Sequence, residues 1–362
     1  MKLVAVALLA AFAIASPHNA SGSRSEIMRR QAGEACSIGY CTQNGGTTGG
    51  AAGETVTVTD VDSLLDAAGR VGPLTIIVSG SVSGSAKVHV ASNKTIYGEP
   101  GSSLTGVGFY IRRETNVIIR NMKISKVEAK NGDAIGIDGS SNIWIDHCDL
   151  SGDLSRGKDD YDGLVDISHG AQWITVSNTY FHDHWKASLI GHSDNNAQED
   201  KGSLHVTYAG NHFHMTYSRA PLIRFGTVHI INTFWDSLIS SGVNCRCVIS
   251  NPPSPHSLKK CFVANVCAES IERVIVDSDF CRMGAQVLIQ SSAFRNSSQN
   301  AVFFADSKET GYAVLDDVDL GGSRNSVPAG TLTSSALPYP PIEALGSAAV
   351  ANTIPGTAGQ KL

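Results

Sequence analysis

Three aspartates carry the first chemical signal in this chain. Asp133 opens the alternating run Ala134-Ile135-Gly136-Ile137, and Tyr161-Asp162-Gly163-Leu164-Val165-Asp166-Ile167 repeats that character further on. In the second run Val165 and Ile167 point to one side of an extended chain, so Asp162 and Asp166 share the other. With the amide oxygen of Asn131 these carboxylates form a set of hard oxygen donors. Such a set suits Ca2+, which takes about 6–8 oxygen ligands and leaves places for water and an anionic ligand. Ordinary solvated turn acids are the alternative reading of the same residues.

Opposite charge follows. Lys186 precedes Ala187 and Leu189, both read as inward, so it faces out; Arg224 lies between Ile223 and Phe225 and faces out too. Arg219 sits in the turn Ser218-Arg219-Ala220-Pro221, where the proline restricts the backbone ahead of it. A cationic strip beside a carboxylate cluster can hold a polyuronate through a bound cation and through the polymer's own carboxylates, which arginine binds well. A basic strip without a ligand is the alternative. His182 and His184 share a strand face near Asp183 and His192, which raises zinc, but no cysteine or carboxylate completes a tetrahedral set. Trp185 suits either stacking on a sugar face or packing.

These residues must be carried by a repeating frame. The pattern is apolar, any, apolar, any, polar, with another apolar residue seven positions after the first. Val117-Ile119-Asn121-Ile124, Ile143-Ile145-His147-Leu150, Ile174-Val176-Asn178-Phe181, Val206-Tyr208-Gly210-Phe213 and Val228-Ile230-Asn232-Trp235 all fit. Their starts are 26, 31, 32 and 22 residues apart. A fixed strand core with coils of variable length predicts a right-handed parallel β-helix, in which each coil buries its apolar face on its neighbours. A β-sandwich has similar alternation but turns more often, every 8–12 residues or so. Asn121, Asn178 and Asn232 at the fifth position suggest a stacked amide ladder.

The next unit, Val287-Ile289-Ser291-Phe294, starts 59 residues after Val228; without the 37 residues 245–281 the spacing is 22. That stretch holds five of the eight cysteines (Cys245, Cys247, Cys261, Cys267, Cys281) and Asn251-Pro252-Pro253-Ser254-Pro255, which blocks regular structure. It reads as foreign to the ancestral domain, a translated intron that would join Asn244 to Arg282. A disulfide-stapled loop is the rival, although five cysteines cannot all pair with one another. Of the remaining cysteines, Cys36 and Cys41 are close enough for a small local disulfide, and Cys148 reads as a buried free thiol.

The chain starts Met1-Lys2, runs apolar from Leu3 to Ile14 and reaches small residues at Ala15-Ser16. Residues 1–15 therefore read as a secretory signal peptide, and 16–31 as a possible pro-segment or linker ending near Arg29-Arg30. The single β-helix domain is expected over 32–362, with a Ser, Pro, Ala and Gly tail after Gly321 that lacks helical periodicity and wraps or frays. Asn19, Asn93 and Asn296 each lie in an Asn-x-Ser/Thr sequon, a short motif that also arises by chance and that matters only because the chain is read as exported; Asn93 and Asn296 are the expected glycosylation sites. A net charge of −5 gives no reason to expect a nucleic acid or membrane partner. The 36 glycines suit many short strands and turns.

Asn142-Ile143-Trp144-Ile145-Asp146-His147 resembles the Trp-Ile-Asp-His motif of the pectate and pectin lyase family. The blocks Asp162–Asp166, His182–Lys186 and Ser218–Gly226 are similar to that family's successive active-site segments, and Cys36-Ser37-Ile38-Gly39-Tyr40-Cys41 looks like its fungal members. The resemblance covers roughly Ala32 to Asn244 and Arg282 to the C-terminus. It implies an extracellular, monomeric pectate lyase that cleaves polygalacturonate by β-elimination. It also implies Ca2+ at Asp133, Asp162 and Asp166, with Asn131 where many members carry another aspartate. Arg219 matches the residue that takes the C5 proton, and Lys186 and Arg224 match residues that bind the uronate carboxylate. The Trp144–His147 motif looks structural. An arginine base is chemically awkward, because the guanidinium stays protonated to above about pH 12; dense local cations and alkaline pH are the usual rescue.

Three other activities compete. A pectin lyase would act on methyl-esterified polymer without Ca2+, but Asp133, Asp162, Asp166 and Lys186 argue for the calcium-dependent enzyme. A hydrolytic polygalacturonase needs a general acid and a water-activating carboxylate, whereas these carboxylates face a basic strip. A non-catalytic cell-wall binding protein would share the frame and could dispense with Arg219.

Overall fold

The computed structural model describes residues 24–239, 279–297, 300–303 and 310–362. The chain coils through three parallel sheets, three strands to a turn. The first sheet runs from Glu54–Val58 to Tyr312–Asp319, and the second from Ser81–His89 through Tyr180–Lys186 and His212–Ser218 to Phe234–Asp236. The third stacks Ile135–Asp138, Val165–Ser168, Ser188–Ile190, Leu222–Arg224 and Asp279–Arg282. This is a parallel β-helix.

The sequence repeat is the register of the stack. Val117 pairs with Ile143, Ile143 with Ile174, Ile174 with Val206, Val206 with Val228 and Val228 with Val287. The seventh positions stack likewise: Leu150 on Phe181, Phe181 on Phe213, Phe213 on Trp235, Trp235 on Phe294. Ring centroids of Phe181 and Phe213 are 4.4 Å apart and those of Trp235 and Phe294 4.2 Å, with the rings nearly parallel in both pairs. The interior is one continuous column of buried side chains, and the buried Trp235 indole donates to Ala220 O at 2.7 Å.

The fifth position has a different cause from an amide ladder. Asn121, His147, Asn178, Gly210, Asn232 and Ser291 occupy it on successive coils, all with φ between 45° and 69°. Each turns the strand sharply through the left-handed region, which Asn and Gly adopt most readily. Their side chains go to separate acceptors: Asn121 to Gly98 O, Asn178 to Asp146 Oδ1, Asn232 to Glu343 O. The amide ladder is not what these residues form.

Both ends carry features absent from the sequence reading. The helix Val61–Gly69, with Asp60 accepting from Ser63 N at its start, lays Leu64, Ala67 and Ala68 over the first coils of the core. Arg24–Ala32 is helical, so a boundary at residue 32 falls at a helix end that is already docked: Gln31 accepts from Tyr97 through its side chain and from Arg120 through its carbonyl. The tail wraps the solenoid as expected, with Leu362 and Gln360 bonded to Asn121. Contrary to expectation it also contains a helix, Ser347–Thr357, that buries Val350 and Ile354, with Ala358 just past its end, against Phe234 and Ala293. Those three apolar residues, spaced by four, were the available signal.

Cys36 and Cys41 are disulfide-bonded and Cys148 is a buried free thiol. The signal peptide, Asn19 and most of 245–281 lie outside the described residues. The last residues of that segment are an exception: Asp279–Arg282 form a strand in which Phe280 pairs with Leu222 and Cys281 with Ile223.

Candidate active site

The outer face of the third sheet collects the predicted carboxylates. Asp166 is carried on Val165–Ser168, in register with Gly136 below and Leu189 above. Gly163 N donates to Asp133 Oδ1 at 2.8 Å, which fixes Asp133 beside the next coil. Two glycines clear the space. A Cβ on Gly163 would lie 2.2 Å from Asp166 Oδ1 and 2.9 Å from Asp133 Oδ1, and one on Gly136 would lie 3.0 Å from Asp133 Oδ2.

The electrostatics of this cluster are unfavourable by themselves. Burial pushes Asp133 up to about 6, and the Asp162 carboxylate adds to the shift. Burial, then Asp133, hold Asp166 well above the usual carboxylate range. Asp166 Oδ1 is buried with no hydrogen-bond partner among the described residues. Like charges packed together, with an orphaned carboxylate oxygen between them, are relieved by a hard cation. The donor set therefore fits Ca2+. Asn131 lies two residues before Asp133, and its amide nitrogen donates to Ser85 Oγ at 2.9 Å.

Two of the three predicted cations reach this cluster. Lys186 Nζ is 3.1 Å from Asp162 Oδ1 and 3.5 Å from Asp159 Oδ1. Arg219 Nη1 is 4.0 Å from Asp166 Oδ2, on a residue held at φ 61° beside the cis Ala220-Pro221 bond. Arg224 faces out as expected but is tied down, with Nε 2.5 Å from Asp194 Oδ1 and Nη1 2.8 Å from Gly191 O. Asp194 escaped the sequence reading because it comes from the loop after the strand, where alternation gives no phase. Lys87 was missed too; its charge acts on Asp133 and it sits 5.0 Å over the Tyr110 ring. Its place in Lys87-Val88-His89-Val90, beside a buried valine, was the available signal.

One strand phase differs from expectation. Ala187 is inward, but the chain turns from the second to the third sheet there, so Ser188 takes the next inward place and bonds Val165 O and Tyr208. Leu189 consequently lies on the outer face, in register with Asp166 and Leu222. The histidines considered for zinc separate. His184 is buried, accepts from Lys186 N and is held down to about 4 by burial and then by the Lys186 charge. His192 stacks on His169, while His182 bonds Asp149 and Asp183. Trp185 packs on Tyr217 at 4.3 Å and donates to Arg156 O.

The Trp144–His147 motif is structural. Asp146 is 1% exposed and receives Arg120 Nε at 2.8 Å, Ser177 Oγ at 2.6 Å, Asn178 Nδ2 at 3.0 Å and the His147 ring at 2.7 Å. Trp144 donates to Ser177 Oγ, and the Arg120 guanidinium lies 4.9 Å over its ring. These contacts bind three coils to one another.

Fold and site together put paired acidic and cationic groups on the outer face of a parallel β-helix. Residues 7–251 match the family model described as pectate lyase. The chain is 66% identical to the pectate lyase plyB of Emericella nidulans, with both chains covered in full. It is 49% identical to pectate lyase B of Colletotrichum gloeosporioides, covering 91% of this chain and 87% of that one. Among solved structures, a Bacillus sp. N165 pectate lyase in complex with trigalacturonate superposes with a TM-score of 0.71 at 25% identity, over 90% of this chain and 98% of that one. The chain belongs to the pectate lyase family, and it is an enzyme of that class.

Proposed function

We propose that this pectate lyase is an exported, calcium-dependent enzyme whose reaction is run by Arg219, Lys186 and Arg224 beside a cation held by Asp133, Asp162 and Asp166. The observation that carries this reading is the buried, unpartnered Asp166 Oδ1, with Arg219 4.0 Å from the other oxygen of the same carboxylate. Asn131 is a further candidate for that set: its amide nitrogen donates to Ser85 Oγ, and its amide oxygen is the atom that a cation would take.

Bound Ca2+ would neutralise the three carboxylates and draw charge from a uronate carboxylate, making its C5–H more acidic. Lys186 and Arg224 would neutralise the negative charge that spreads into that carboxylate as the proton leaves. Arg219, in the deprotonated form that neighbouring cations and alkaline pH favour, receives the C5 proton and becomes a guanidinium. The electron pair forms the C4–C5 double bond, the C4–O bond breaks, and the leaving oxygen takes up a proton. No water is consumed, and the new chain end is a 4,5-unsaturated galacturonosyl residue. Gly191 O and Asp194 hold Arg224 to one direction, so its charge is positioned in advance.

Export is supported by the apolar N-terminal stretch, and among the described residues no helix is long and apolar enough to cross a membrane. Of the two described sequons, Asn296 is exposed, while Asn93 is half-buried and accepts from Asn116 Nδ2; glycosylation is assigned to both, with Asn296 the more accessible.

The test is the ultraviolet absorbance of unsaturated uronide from polygalacturonate, with Ca2+ or with chelator. A rise that requires Ca2+ supports the assignment; a rise indifferent to chelator, and larger on methyl-esterified polymer, would replace it with a pectin lyase.

A further inference from the structure

The second sheet carries a different set of ligand atoms on its outer face. His212 and His214 alternate on His212–Ser218, with Phe213 turned into the core between them. On the next coil Phe234 pairs with His212 and Asp236 with His214. One ring nitrogen from each histidine and one Asp236 oxygen lie within 4.8 Å of one another.

Several details separate this cluster from a surface ion pair. His212 is 8% exposed, its ring stacked between Tyr180 at 4.9 Å and Phe234 at 5.2 Å, and its Nε2 is buried without a hydrogen-bond partner among the described residues. An orphaned imidazole nitrogen in such a place is costly unless something binds it. The other two groups are positioned. Asp236 Oδ2 faces His214 Nδ1 at 3.1 Å, while Oδ1 accepts from Ser237 Oγ at 2.9 Å and from Asn296 Nδ2 at 3.2 Å. A carboxylate oriented through its second oxygen is a common support for metal ligands.

We propose that His212, His214 and Asp236 form a binding site for Zn2+ or a similar borderline divalent ion, separate from the calcium cluster. Two imidazoles and one carboxylate suit zinc and its neighbours in the transition series better than Ca2+, and three protein ligands leave a position for water. The role is structural. His214 and Arg219 are five positions apart, at most about 16 Å along the chain, and the two histidines lie on the second sheet rather than in the aspartate cluster of the third, so a metal here is not placed at the reacting carbon. It would tie the coil that ends in Arg219 to the coil that follows.

The experiment is calorimetric titration of the full chain with Zn2+, with Ca2+ kept saturating to block the aspartate cluster, alongside the thermal midpoint. The expected result is one equivalent bound and a raised midpoint. Asp236→Asn, which keeps shape and the Ser237 and Asn296 contacts, and His214→Ala, at a partly exposed position, each weaken binding at least about tenfold. His182→Ala, one coil away, leaves it unchanged. No uptake of Zn2+, uptake that survives both ligand variants, or uptake lost in His182→Ala overturns the proposal.

Discussion

Arg219 Nη1 faces Asp166 Oδ2 at 4.0 Å, so the group assigned as proton acceptor and a group assigned as cation ligand share one contact. The left-handed backbone at Arg219 and the buried Trp235–Ala220 hydrogen bond set that approach. Arg219→Lys keeps a positive charge near Asp166 but loses the planar reach of the guanidinium. Its kcat should fall by about 10²–10⁴-fold, the usual worth of a positioned base. Calorimetric Ca2+ affinity should stay within about twofold, because the charge next to Asp166 is retained. Equal loss of affinity and kcat would instead make Arg219 a part of the cation site.

Gly163 offers a test of the cluster that leaves every charge in place. The Cβ of Gly163→Ala would meet Asp166 Oδ1 at 2.2 Å, and that carboxylate has to swing away. Displacement of a reacting group by about 1 Å costs on the order of 10²-fold in rate. Activity at limiting Ca2+ should therefore collapse, with partial recovery at high Ca2+. An alanine variant with unaltered calcium dependence would place the ion elsewhere.

The raised carboxylates predict how calcium depends on pH. In the ion-free chain Asp133 sits at about 6 against an ordinary 3.8, with Asp166 shifted the same way, both chiefly by burial. Between 3.8 and about 6 the folded chain holds more protons than the unfolded one, so ion-free stability falls as pH rises through that window. Protons and Ca2+ compete for the same oxygens. Thermal melts should show the gain from Ca2+ small near pH 4 and growing to a plateau above about pH 6. A calcium-induced gain independent of pH across that range would exclude these carboxylates as ligands.

Much of this was written in the sequence because the solenoid is locally periodic. Val117, Ile143, Ile174, Val206, Val228 and Val287 are apolar for the same reason that they stack, and period-2 alternation places Asp162, Asp166 and Arg224 outside. The remainder depends on contacts that alternation does not encode. Arg224 meets Asp194 through a loop, and Leu189 changes face where the chain passes between sheets. The space at Gly163 is visible only once Asp133 and Asp166 lie on neighbouring coils. His212 and Asp236 are 24 residues apart, and only coil stacking brings them together.

Asp146 should be essential to the fold and dispensable for the chemistry. Burial opposes its charge, but His147, Arg120 and Ser177 outweigh burial and keep its pKa below 3.8. A depressed carboxylate contributes stability that is present above its unfolded value and lost as pH falls through the folded one, so this contribution disappears in acid below about pH 4. Asp146→Asn leaves the Arg120 guanidinium to Glu34 and the Gln31 carbonyl and should cost on the order of 2 kcal/mol at neutral pH, the worth of a hydrogen bond to a charged group. Denaturant titration reads that loss. The kcat of the folded fraction should match the parent; a kcat reduced more than about tenfold would give the Trp144–His147 motif a catalytic part.

The segment 245–281 yields a prediction that the register of the third sheet sharpens. Cys281 pairs with Ile223, whose side chain is fully buried, and Arg282 pairs with Arg224 on the outer face. Excising 245–281 brings Asn244 into the place of Cys281, an amide at an inward position, with Val243 outward. Excising 246–281 instead leaves Cys245 opposite Ile223, puts Asn244 outward and returns Val243 inward, which restores the apolar alternation. Burying an unpaired amide costs about 1–3 kcal/mol. If the segment is a translated intron, both shortened chains should be secreted in higher yield than the full chain, because coil-to-coil stacking is no longer interrupted. The 36-residue excision should melt higher than the 37-residue one. Secretion yield, thermal midpoint and lyase activity of the three chains decide the matter, and equal yield and activity from the full chain would establish 245–281 as a loop that the solenoid tolerates.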